Sequence, residues 1–183
     1  MSRNIELKVA CTGAQFADIR VRLETRSPVS IEQLSHIDTY FQVPRGRLKL
    51  REISSSDGHS AELIQYCRID QTGPRTSTYH RISISTEQLA GIGVALSAAL
   101  PVLATVQKAR TVAIWRSTRI HLDQVETLGH FVELETVLDD AQPNDTHGRA
   151  EFDSVVDWLG LAGLESIPGS YSDLIITKGQ LIK

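Results

Sequence analysis

The sequence predicts an α+β fold in which an eight-stranded antiparallel sheet closes into a tunnel or barrel, with helices packed on its outside. The first observation behind this is a set of charged residues at every second position: Glu6-x-Lys8, Arg47-x-Lys49-x-Arg51, Lys108-x-Arg110, Arg119-x-His121-x-Asp123 and Glu133-x-Glu135. Side chains two apart on a strand share one face. Apolar residues fill the alternate positions (Leu7 and Val9, Leu48 and Leu50, Ala109, Ile120 and Leu122, Val132 and Leu134), so one face is buried and the other is charged. The second observation is repetition. One such stretch is an ordinary amphipathic strand with its charges in water, but there are five, they carry both signs of charge, and among them are runs of Arg and Lys with no neighbouring acid. Like charges side by side repel unless something anionic lies among them. A charged interior follows, with basic groups gathering a polyanion and carboxylates gathering its metal ions.

The elements follow in order. A strand over about Arg3 to Cys11 leads past Gly13 into a helix over Ala14 to Glu24, where Phe16, Ile19 and Leu23 recur at helical spacing and Ser27-Pro28 ends the run. His36 to Phe41 is a short β-rich segment. Pro44-Arg45-Gly46 turns the chain into the strand Arg47 to Ile53, which forms a hairpin through Ser54 to Gly58 with the strand Ala61 to Ile69. After Gln71 to Pro74, a strand over Thr76 to Ile84 precedes a helix capped by Ser85 or Thr86 and carrying Leu89, Ile92, Leu96 and Leu100. Three strands follow, Ala104 to Trp115, Thr118 to Val125 and Phe131 to Leu138, turning at Arg116-Ser117 and Thr127 to Gly129. Asp139 to Gly148 is a polar loop. Phe152, Val155, Val156 and Leu159 define a helix on the outside, and the tail from Ser166 carries the adjacent Leu174, Ile175 and Ile176, which mark it as more than linker.

A chain of 183 residues with 41% hydrophobic content supports a single domain over 1–183, with a C-terminal helix and tail from about residue 150. A net charge of -3 excludes general binding to nucleic acid or an anionic membrane surface, so any basic site is local. Cys11 and Cys67 lack metal-ligand spacing and lie in apolar strand-like runs, which predicts buried free thiols. The first residues run directly into a strand and no apolar run reaches transmembrane length, so a soluble, cytoplasmic protein without a secretory leader is expected.

Motifs along nearly the whole chain carry a family resemblance. They are Asn4-Ile5-Glu6-Leu7-Lys8, Asp38-Thr39-Tyr40-Phe41, Gly46-Arg47-Leu48-Lys49-Leu50-Arg51-Glu52, Leu63-Ile64-x-Tyr66-x-Arg68, Lys108-Ala109-Arg110, Arg119-Ile120-His121-Leu122-Asp123-x-Val125 and Leu128-Gly129-x-Phe131-x-Glu133-Leu134-Glu135. In order and spacing the chain resembles the CYTH superfamily, the triphosphate tunnel enzymes that include class IV adenylate cyclases and thiamine triphosphatases. Tyr171-Ser172-Asp173-Leu174 resembles the C-terminal motif of the class IV cyclase-like branch. The resemblance implies an eight-stranded tunnel holding a triphosphate and one or two divalent metals, Mg²⁺ or Mn²⁺. It assigns Glu6, Glu133 and Glu135 to the metal, and Lys8, Lys49, Arg51, Lys108, Arg110 and Arg119 to phosphate, with Arg68 as the candidate on the fourth strand. Lys8 and Asp123 are the catalytic candidates, Lys8 as a phosphate contact or general base and Asp123 as an acidic partner. The family signature opens Glu-x-Glu-x-Lys; here Asn4 holds the first position, which removes one acid but keeps an oxygen ligand.

Those residue types suit the chemistry. Guanidinium forks and ammonium groups grip phosphate oxygens, while Mg²⁺ and Mn²⁺ take oxygen ligands from carboxylates and phosphates. The leading expectation is class IV adenylate cyclase activity, ATP to cyclic AMP and pyrophosphate. The alternatives are an inorganic or thiamine-type triphosphatase, and a non-catalytic nucleotide or polyphosphate sensor. The expected partner is ATP or another triphosphate, with no nucleic acid or membrane, and the family admits a homodimer. His121 shares the face of Arg119 and Asp123, but a lone histidine without ligand spacing reads as structural, as do Asp38, Tyr40 and Phe41 at a strand start.

Overall fold

The computed structural model describes residues 3–67, 78–138 and 146–181. Its elements run β1 (Arg3–Cys11), α1 (Gly13–Thr25), β2 (Ser30–Phe41), β3 (Arg47–Ser55), β4 (Gly58–Cys67), β5 (Thr78–Ile84), α2 (Thr86–Ala99), β6 (Val102–Trp115), β7 (Thr118–Val125), β8 (Gly129–Leu138), α3 (Thr146–Leu159) and α4 (Tyr171–Leu181). All eight expected strands are present. β2 begins six residues earlier than the apolar pattern indicates, because its exposed first half pairs with the far end of β6, Ser30 opposite Ile114. α1 starts at a capping box: the Thr12 hydroxyl accepts from the Gln15 backbone N–H, and the Gln15 side chain accepts from the Thr12 N–H.

The strands form one antiparallel sheet in the order β1-β8-β7-β6-β2-β3-β4-β5. This corrects the expectation of closure, since β1 and β5 are its edges and no ladder joins them among the described residues. The edge of β1 finds its partners elsewhere. The Ala10 N–H donates to the Glu165 carbonyl, the Ile167 N–H donates to the Lys8 carbonyl, and Val9 bridges Ser166. The backbone groups that would close the ladder are thus satisfied by the chain between α3 and α4.

Alternation along the strands separates two faces. The apolar face is covered in two places. Ile19 and Leu23 of α1 and Phe152, Val155 and Leu159 of α3 pack on Ile5, Val9, Ile120, Leu122, Val132 and Leu134, while Leu89, Ile92 and Leu96 of α2, with Leu100 just past its end, pack against Phe41, Leu50, Ala61 and Ile84. Trp115 and Trp158 stack at a tilt, 6.0 Å between ring centres, against the first cluster. The fourth helix departs from the expectation that helices lie outside. Tyr171, Leu174 and Ile175 of α4 pack with Tyr40, Val106, Val125 and Phe131, which belong to the charged side of the sheet. Both thiols are free, but Cys11 is half-buried and Cys67 exposed, because each ends its strand instead of lying within it.

Gly46 precedes β3 with φ +66°, and a Cβ there would lie 2.4 Å from the Tyr66 carbonyl oxygen on β4. Strain and overlap act together at this turn. Gly46→Ala is expected to cost about 2 kcal/mol, read as a lower urea midpoint. Gly58→Ala, with φ +125° but nothing within 4 Å of its Cβ, should cost less.

Candidate active site

The register brings the charged residues together on one face. Asp38 stands opposite Arg51, Tyr40 opposite Lys49, Lys108 opposite His36, Arg110 opposite Asp123, and Lys8 opposite Glu133. Two buried aspartates organise the cations. Asp38 accepts from Lys49 Nζ at 2.9 Å and from the Arg51 fork at 2.6 and 2.8 Å. Asp123 accepts both arms of Arg110 at 2.6 Å and the Tyr171 hydroxyl at 2.8 Å. Lys108 Nζ lies 4.0 Å from each aspartate and so links the two halves.

Glu133 extends the cluster towards β1. Its carboxylate meets Lys8 Nζ at 3.3 Å and Arg110 at 3.1 Å, and the His121 Nδ1 is 3.5 Å away. The residues from 169 to 173 cross the same face: Lys8 donates to the Gly169 carbonyl, Arg47 pairs with Asp173 at 3.0 Å, and the Lys8 and Lys108 ammoniums lie 4.5 and 5.1 Å from the centre of the Tyr171 ring.

Burial and charge act on each group in opposite senses. Burial alone would raise the carboxyls of Asp38, Asp123 and Glu133, but the cations around them outweigh it: Asp38 and Glu133 lie well below the usual range and Asp123 falls to about 2. For Lys49 and Lys108 burial is the larger effect, joined by Arg51 and Arg110, and their ammoniums are lowered to about 8 and about 7. His36 is pushed down to about 3 by burial and by Arg51, Lys108 and Arg110, so it is a neutral imidazole, and neither ring nitrogen has a hydrogen-bond partner. Burial, with Asp123 and Glu133, drives the Tyr171 hydroxyl well above its ordinary range and keeps it a donor.

Lys8, Lys49, Arg51, Lys108, Arg110, Asp123 and Glu133 therefore meet in one connected cluster. Glu6 and Glu135 stand directly opposite one another on the same face. Arg119 lies apart from the buried cations, with its side chain 56% exposed and paired to Glu135 at 3.4 Å. Arg68 lies outside the described residues. Sequence reasoning missed Asp38 as the hub, although its alternation with His36 and Tyr40 was the available signal, and it left His121 and His36 without roles. A cleft of about 590 Å³ between Trp115, Arg116, His147 and Glu151 includes none of the cluster residues.

Among the described residues, the ligand atoms of His121, Glu133 and Glu135 lie within 4.8 Å of one another. Two buried electron-pair donors near this group lack hydrogen-bond partners: His121 Nδ1 and, two residues before Glu6 on β1, Asn4 Oδ1. Carboxylates, an imidazole and a neutral oxygen are the donors that a divalent cation takes, so the residues fit a metal.

The family model for the CYTH domain matches residues 2–156. The chain belongs to the CYTH family. Its sheet has the triphosphate tunnel fold of that family, whose enzymes are generally dependent on divalent metals. Solved structures agree in fold. A match to a Pyrococcus horikoshii protein has a TM-score of 0.71 at 21% identity, covering 95% of this chain and 99% of the other. A Vibrio parahaemolyticus protein named as a candidate adenylate cyclase gives 0.62 at 19%, covering 94% and 97%. A Hippeastrum protein, named as a candidate adenylyl cyclase that reveals a dominant triphosphatase activity, gives 0.62 at 14%, covering 98% and 96%. No curated protein matches the chain. No described helix is long and apolar enough to cross a membrane.

The two loosened lysines set a pH dependence. In the unfolded chain lysine titrates near ~10.4, so between about pH 7 and pH 10 the unfolded state binds more protons than the folded one and stability rises with pH. The carboxylates act at the acid end. Their contribution is complete above the unfolded carboxyl range and is lost as pH falls through the low folded values, about 2 for Asp123. The Tm of the ligand-free protein is expected to rise from pH 7 to 9.5, and Lys108→Met should flatten that rise; a flat wild-type profile would refute the burial of these charges.

Proposed function

We propose that this CYTH protein is a divalent-metal-dependent enzyme that binds a triphosphate against its charged face and breaks a phosphoanhydride bond. The observation that supports this most is the charge balance of the buried cluster, in which the five cations Lys8, Lys49, Arg51, Lys108 and Arg110 are paired with the three acids Asp38, Asp123 and Glu133 among the described residues. Cations in excess, with two ammoniums lowered towards neutrality by burial, are strained until an anion joins them.

The chain's own residues supply the grip. The Asp38 and Asp123 pairs hold the Arg51 and Arg110 forks in fixed orientation and leave each guanidinium further N–H donors for phosphate oxygens. Lys49 and Lys108 regain firm protonation beside phosphate. Glu133, paired with Lys8 on one side and with Arg110 on the other, joins the anion site to the acidic site. Glu6, Glu133 and Glu135, with Asn4 as a neutral oxygen, would hold Mg²⁺ or Mn²⁺, which supplies charge stabilisation at the phosphate oxygens when bound. Asp123 is a positioning residue in this scheme, acting through Arg110, and Arg119 contacts solvent-side phosphate at the rim.

Between the two reactions the geometry favours hydrolysis. Tyr40, Tyr66 and Tyr171 on the charged side are each less than 8% exposed, so none of these three presents an open ring for an adenine. The Hippeastrum protein's dominant triphosphatase activity accords with this. Cyclisation of ATP to cyclic AMP and pyrophosphate is the second reading, supported by the Tyr171-Ser172-Asp173-Leu174 motif. Purified protein incubated with inorganic triphosphate or ATP in Mg²⁺ or Mn²⁺ is expected to release orthophosphate, fastest from triphosphate. Cyclic AMP with pyrophosphate would instead establish the cyclase, and tight binding without product would establish a sensor. Glu133→Gln should abolish turnover with the fold retained, while Arg51→Ala should weaken triphosphate binding at least ~10-fold; an unaltered affinity would remove Arg51 from the site.

A further inference from the structure

We infer that His121 is a metal ligand and that it biases the acidic site towards Mn²⁺ over Mg²⁺. This inference rests on the proposed metal-dependent reading of the same site. The imidazole is buried, only 5% exposed, on the charged face of β7. Its Nδ1 is directed at Glu133, 3.5 Å from Oε2, a contact too long for a well-formed hydrogen bond. Register places it beside the strand that supplies acids: His121 stands opposite Glu133 on β8, and the next pair on the same face, towards the exposed end, is Arg119 opposite Glu135.

A buried nitrogen with an unmet hydrogen bond costs free energy, and its closest acidic neighbours share one compact group with it. Two features around that group favour a cation. Glu133 is held by Lys8 and Arg110, but each carboxylate oxygen has two lone pairs, so these contacts leave acceptor capacity for a metal. Arg119 neutralises Glu135 only from a solvent-exposed position, where its hold is weak.

Metal selection follows from the donor types. Mg²⁺ takes oxygen ligands and sheds water reluctantly, whereas imidazole suits the transition metals, among which Mn²⁺ tolerates mixed oxygen and nitrogen donors. An all-carboxylate site gives no such bias. A histidine that merely packs beneath the acids would leave the Mn²⁺ to Mg²⁺ affinity ratio unchanged on substitution, and a ligand would not.

The test uses the full chain with Mn²⁺ alone and no nucleotide. Pulsed electron paramagnetic resonance is expected to show ¹⁴N coupling to bound Mn²⁺, replaced by the ¹⁵N pattern when only histidine is labelled. His121→Asn should remove the coupling and lower Mn²⁺ affinity about 10-fold or more, with Mg²⁺ affinity changed far less. The labelled wild-type protein gives the nitrogen readout even if the variant fails to fold. Mn²⁺ bound without histidine coupling, or equal losses for both ions in a folded variant, would overturn the role of His121 while leaving the metal reading intact. Failure of Mn²⁺ to bind at all would overturn both.

Discussion

The pairing of Asp38 and Asp123 with the cations around them is the interaction on which the rest of the site depends. Each aspartate is buried, and each fixes an arginine fork through two short bonds. Removing one partner of such a buried pair typically costs 3–5 kcal/mol, because it leaves an uncompensated charge where water cannot reach. Lys108 extends the constraint, since it lies at the same distance from both carboxylates and is held by their joint field. The aspartates therefore shape a basic surface that would otherwise disperse by repulsion. They also spend only part of the hydrogen-bonding capacity of each guanidinium, so a fixed geometry coexists with an unmet demand for anions.

That arrangement is possible because the two faces of the sheet do different work. Helices α1, α2 and α3 bury the apolar face and supply the hydrophobic stabilisation, leaving the charged face free to be electrostatically costly. Helix α4 meets the sheet on the other side, where Tyr171 joins a small apolar cluster by its ring and Asp123 by its hydroxyl. One side chain thus couples packing to charge. Residues 165–167, which lead into that helix, satisfy part of the edge of β1, where the sheet is left open as a ladder.

Much of this was legible in the sequence because alternation is a strong signal where both faces are constrained. Lys49, Arg51, Lys108, Arg110 and Glu133 share a face in the chain and meet in space. What was not legible depends on contacts between distant segments. Asp38 looked like the start of a packed strand because its partners lie 11 and 13 residues away on β3. The first half of β2 is exposed and polar, and only its register with β6 makes it a strand. Arg119 follows the alternation perfectly yet ends near the rim, since periodicity sets the face of a residue but not its depth along the strand. Closure failed for a related reason: nothing local to β1 reveals that residues 165–167 occupy its edge.

The bond from Lys8 to the Gly169 carbonyl spans 161 positions of the chain, and that from Tyr171 to Asp123 spans 48. A ribosome making this protein has to deliver the residues around 170 before the lysine in the first strand can acquire its full set of neighbours. Until then Lys8 and Lys108 lack the Tyr171 ring, and Lys8 lacks the Gly169 carbonyl. Non-local closure of this kind is slow to form, so the contacts of residues 169–173 with the first strand are among the last that the growing chain can complete.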